Sequence, residues 1–71
     1  MARTAPHRGT VSAFDDDAGL GTVTDAEGHE HPFHCTAIAD GSRTIDPGTA
    51  VVFDLVPGHN GRWEADGLTP V

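Results

Sequence analysis

The segment His29-Glu30-His31-Pro32-Phe33-His34-Cys35 gathers three histidines and the only cysteine into seven residues. Imidazole and thiolate are the ligand types that hold Zn²⁺ or Ni²⁺. In an extended strand, however, side chains alternate between faces, so His29 and His31 share one face while His34 takes the other. No Cys-x-x-Cys pair supports a metal reading, and no metal or cofactor is expected. The simpler assignment has His29 in a surface turn. Asp15-Asp16-Asp17 also offers carboxylates, but consecutive turn residues splay apart, and the spaced ligands of a Ca²⁺ loop are missing after them. A solvated acidic turn is expected there. No Gly-x-Ser-x-Gly, phosphate loop or nucleophile with a partner appears, so no enzymatic activity is expected. Trp63 stands beside Arg62, and both side chains can lie flat on a nucleobase. The preferred reading is instead that Trp63 closes one end of a small core. Arg8 and Arg43 are single cations able to touch a phosphate.

Positioning such groups falls to a small chain. With 71 residues it forms one domain, and a domain of this size buries only about 60% of its unfolded surface. Hydrophobic residues make up 37% and charged residues 21%, and no apolar run approaches the ~20 residues of a membrane helix. No membrane association is expected. A lone cysteine fits a reducing compartment, and no apolar segment succeeds the basic N-terminal residues, so a cytoplasmic location is expected. Eleven acidic residues stand against four arginines, giving a formal charge of −7 with no lysine at all. Nucleic-acid binders ordinarily gain affinity by neutralising phosphates with Lys and Arg, so the bulk field here opposes that partner.

The elements are short. Residues 1–7 are polar and aperiodic, and read as a flexible segment before a domain spanning 8–71. Thr10 to Phe14 and Leu20 to Thr24 read as a β-hairpin, and Gly19 and Gly21 suggest a bulged, open face. His29 to Cys35 is a third strand, and because Pro32 cannot donate to a ladder, either the strand is at an edge or Pro32 sits where its missing N–H faces solvent. Thr36-Ala37-Ile38 reads as one helical or 3₁₀ turn, and Ala39 to Gly48 as a loop. Gly48 to Val56 is the clearest strand, with Val51, Phe53 and Leu55 inward by period-two alternation. Pro57-Gly58-His59-Asn60-Gly61 is a turn, and Arg62 to Val71 a last strand. Five strands without an amphipathic helix predict an all-β, five-stranded antiparallel barrel of OB type, with an SH3-like barrel as the rival. The expected inward set is Val11, Val23, Phe33, Ile38, Val51, Phe53 and Leu68.

In order and spacing, the chain resembles the cold-shock domain family from about Arg8 to Val71. Gly9, Val11, Phe14, Gly19, Gly21 and Val23 match its first hairpin. His34 matches the family's third strand, where the resemblance puts His31 at a core-facing position; Ala37-Ile38 matches the Ser-Ala-Ile beyond that strand, and Gly48, Val51 and Phe53 match the fourth. Asp40 to Ile45 resembles the family's next loop, and Ala65 to Pro70 resembles its closing Ala-Ala-Asn-Val-Thr-Pro. The resemblance implies an OB barrel that binds single-stranded RNA or DNA by stacking bases on outward aromatics, with lysines on phosphates. The positions that carry this chemistry fall on Ser12, Ala13, Ala18, Leu20, Thr22, Pro32, His34, Cys35 and Ser42, of which only His34 can still stack. A stacked base is worth ~1–3 kcal/mol, so losing four or five aromatics forfeits on the order of 5–10 kcal/mol.

The implied function is therefore weak, non-enzymatic binding of single-stranded RNA or DNA. Its candidate residues are Arg8, Ser12, Leu20, Thr22, His34, Arg43, Arg62 and Trp63. The alternative is a protein-interaction module on a barrel that no longer binds nucleic acid, its acidity suited to a basic protein partner.

Overall fold

A computed structural model describes residues 6–58 and 62–71. Five antiparallel strands run β1 (His7–Asp15), β2 (Leu20–Asp25), β3 (Glu30–His34), β4 (Ala50–Pro57) and β5 (Trp63–Pro70), with a single 3₁₀ turn at Cys35–Ala37 after β3. The sheet order is β3-β2-β1-β4-β5. β1 is the hub: its first residues pair with β4, Gly9 opposite Val51, while Gly9 to Asp15 pair with β2. A bulge in β1 bends this central strand, and the sheet curls into an OB-type barrel. The ends of the sheet approach where Ile38, just past the 3₁₀ turn, bridges Leu68 and Ala39 N–H donates to Leu68 C=O at 2.8 Å. The barrel is not closed by a continuous ladder between β3 and β5. Among the described residues, no helix is long and apolar enough to cross a membrane.

The bulge falls in β1 rather than at the glycines of β2: the register shifts between Val11 and Ala13, leaving Ser12 as the extra residue. Its Oγ donates to Thr22 C=O at 3.1 Å, which ties the bend to the neighbouring strand. Gly19 adopts a left-handed φ of 67° at the end of the hairpin link, a conformation that glycine enters without steric cost. Gly21 has a different reason. A Cβ there would stand 2.5 Å from Phe33 Cζ and 2.8 Å from Phe14 Cδ1, so the two rings need a bare backbone beneath them.

All seven residues expected inward are buried. They are joined by Ala37, Ile45 and Ala65, which sequence periodicity did not single out. Leu55 is only partly buried and packs against the rim of the core. β1 begins at His7, whose ring stacks on Phe53 with centroids 5.7 Å apart, so the barrel takes in a residue that the sequence places in the preceding segment. Pro32 lies on edge strand β3, where its missing donor is tolerated. The 3₁₀ turn starts one residue before its expected position. Of the turn expected between β4 and β5, His59, Asn60 and Gly61 lie outside the described residues. Gly58 N–H donates to Arg62 C=O at 2.6 Å across it.

Candidate functional site

Strand register explains how residues far apart in sequence reach one face. Ala13 pairs with Thr22, which pairs with Pro32, and Asp15 pairs with Leu20, which pairs with His34. The residues of each row stand two apart along β2 and β3, so the two rows share one side of the pleat. Together with Phe14, Gly21, Phe33 and Glu64 they line an open, mainly apolar basin of about 410 Å³. Phe14 and Phe33 belong to the intervening row, across Gly21, and stack with centroids 5.9 Å apart and planes 16° from parallel. Leu20 is 45% exposed at the rim of the basin. The charged groups in its lining are carboxylates, Asp15 and Glu64, and no arginine is among them.

A second cleft, of about 470 Å³, is lined by Thr22, Glu30, His31, Pro32, Arg62 and Trp63. Trp63 is 44% exposed and is absent from the core cluster. The expectation that it closes one end of the core is therefore corrected. Its partner in the ladder is Pro57, at the very end of β4, where the sheet has run out of core to cover.

The eight candidate residues thus separate. Leu20, Thr22 and His34 come together in the basin, and Arg62 and Trp63 meet Thr22 in the adjoining cleft. Ser12 is exposed on the β1 bulge, its hydroxyl engaged by Thr22. Arg8 lines a groove with His7, Glu27 and His29, and Arg43 a depression with Cys35, Thr36 and Ser42, so neither is in the lining of the basin or the cleft. Phe14, which the sequence marks only as a match to the first hairpin, and Glu64, which it does not mark, also line the basin. For Glu64 the missing signal was long-range pairing, because it reaches the basin from β5.

The histidine-rich segment is split by the strand. His31 turns inward, with 14% of its side chain exposed, and its ring lies 5.9 Å from that of Phe53. His34 faces out on the basin. Asp25 organises the β2–β3 turn: its Oδ1 accepts the N–H groups of Glu27 and His29, each at 2.9 Å, and its Oδ2 accepts His31 Nε2–H at 2.8 Å. Those bonds, led by the one from His31, hold the Asp25 carboxyl down to about 2 against the opposing effect of burial. Asp25, Glu27 and His29 bring ligand-type atoms within 4.8 Å of one another. Both Asp25 oxygens already serve the turn. The acidic link is an exposed turn, as expected, and Asp15 Oδ1 caps it by accepting the N–H groups of Asp17 and Ala18 at 3.0 and 3.3 Å.

Fold and site together define a small OB-type barrel that exposes an apolar sheet face. A sequence profile of the 'Cold-shock' DNA-binding domain matches residues 7–71. Cold shock protein 2 of Lactiplantibacillus plantarum is 39% identical over 54 residues, a match covering 75% of this chain and 82% of that protein. The chain belongs to the cold-shock domain family.

Proposed function

We propose that this protein binds single-stranded RNA or DNA without catalysing a reaction, and that it does so weakly through the basin face of β1 to β3. The observation that carries this reading is the pair of cross-strand rows, Ala13–Thr22–Pro32 and Asp15–Leu20–His34, which leave an open apolar surface beside one exposed imidazole. Family membership supports the partner class. The small side chains support the low affinity, because a base resting on Leu20 and Thr22 gains dispersion and burial but no aromatic stack. A single free cysteine, Cys35, fits action in the reducing cytoplasm.

Fluorescence anisotropy of labelled heptathymidine at low ionic strength tests the proposal. The expected dissociation constant is micromolar or weaker, and His34→Ala should weaken it by at least about fivefold. A nanomolar constant, or binding untouched by His34→Ala and Leu20→Ala together, would count against this face. A protein-interaction role is favoured by one observation, the carboxylates of Asp15 and Glu64 bordering an exposed leucine. On that reading a basic protein segment occupies the basin, and the oligonucleotide gives no anisotropy change.

A further inference from the structure

We propose that the cleft between β3 and β5 is a base-stacking position continuous with the basin, in which a nucleobase lies on the indole of Trp63 while its phosphate meets Arg62. The inference rests on the single-strand-binding reading above and adds to it a site on a different strand. Tryptophan is highly buried on average, yet the only tryptophan of this chain is 44% exposed. Its ring is presented to an open space rather than spent on the core. Thr22 and Pro32 line both the cleft and the basin, so a strand lying over Leu20 and His34 passes directly between them to reach Trp63.

Charge selects the occupant. Of the three described arginines, only Arg62 is in the lining of either cavity, with Arg8 and Arg43 lining separate depressions. Its guanidinium suits a phosphate and can lie flat on a base. Glu30 shares the cleft and repels phosphate, which confines the backbone of a bound strand to the Arg62 side and leaves the base over the ring. His31, the inner wall, is held by its 2.8 Å bond to Asp25. The cleft therefore has one fixed wall, one flat aromatic wall and one cation, the parts that a stacked nucleotide requires.

Because Trp63 is the only tryptophan, its emission reports on the cleft directly. Titration of the natural chain with heptathymidine at low ionic strength should quench that emission, saturating at the same concentrations as the anisotropy of the labelled strand. Trp63→Ala should weaken binding by between about fivefold and about 150-fold, with Trp63→Phe intermediate because a smaller ring remains. Arg62→Gln should reduce the slope of log K against log salt by about 0.7, the share of one phosphate contact. Anisotropy that titrates while the emission stays constant, with Trp63→Phe binding like the parent, would overturn the cleft and leave the basin reading standing. Loss of all anisotropy change in the natural chain would overturn both. Circular dichroism establishes that each variant folds, and if Trp63→Ala does not, the emission titration and Trp63→Phe decide.

Discussion

His31 donates its Nε2–H to Asp25 Oδ2 at 2.8 Å while its ring packs 5.9 Å from that of Phe53, so one side chain links the β2–β3 turn to the hydrophobic core. The carboxylate at the other end of this bond also accepts two backbone N–H groups. The turn and the core are therefore coupled through a titratable contact.

Acid should uncouple them. The Asp25 carboxyl is lowered from 3.8 to about 2, so the folded state favours its ionised form more than the unfolded chain does. Its contribution is complete above the unfolded value and is lost as pH falls through the folded one. Stability should therefore drop between about pH 4 and pH 2. Asp25→Asn should be less stable at pH 7 and should show a shallower loss across that window. Urea unfolding at a series of pH values is the measurement, and an unchanged acid limb in the variant would separate Asp25 from the effect.

Phe53 carries much of the core. It is 2% exposed on β4 and meets the rings of both His7 and His31. Truncating a buried Phe to Ala costs ~3–5 kcal/mol out of the ~5–15 kcal/mol typical of a whole domain. Phe53→Ala should be mostly unfolded at room temperature by circular dichroism. A melting temperature within a few degrees of the parent would remove Phe53 from this role.

Gly21 should resist even a methyl group. A Cβ at this position would stand 2.8 Å from Phe14 Cδ1 and closer still to Phe33 Cζ, and overpacking of this kind costs ~1–3 kcal/mol. Gly21→Ala should lower the urea midpoint by a corresponding amount and disturb the Phe14–Phe33 stack. An unchanged midpoint would show that the Phe14–Phe33 stack yields freely.

Restoring aromatic rings should restore affinity. The triple variant Ala13→Trp, Leu20→Phe, Thr22→Phe places rings at positions on the basin lining. Three stacks at ~1–3 kcal/mol each should tighten binding to a pyrimidine-rich strand by at least about a hundredfold at matched low salt. Equal affinity of the folded variant and the natural chain would mean that the strand does not cross these rows.

The salt dependence of binding should be shallow. With Arg62 the one arginine in the lining of basin and cleft, log K should fall against log salt with a slope near −0.7, as for one neutralised phosphate. A slope steeper than about −2 would require cations that these two surfaces do not provide.

Much of the fold was legible in the sequence because the signals are local. Alternation in β4 sends Val51 and Phe53 inward whatever they meet, and a proline in β3 points to an edge, which β3 is. The motif order from Gly9 to Pro70 was enough to identify the family and its barrel. Ile45 and Ala37 were not legible as core, since one sits in an aperiodic loop and the other in a single 3₁₀ turn, where no repeat marks the inward side. Leu55 shows the limit of alternation: near the end of β4 it is only partly buried and packs against the core from outside. The candidate site divided in the same way. The absence of lysines and most aromatics could be counted along the chain. Whether Trp63 faces the core or a cleft could not, because that depends on β5 passing beside β3 at the open side of the barrel, a contact between residues some thirty positions apart. Sequence alone determined which side chains were available for binding; only the curl of the sheet decided which of them share a surface, because register and barrel closure are set by long-range pairing rather than by neighbours in the chain.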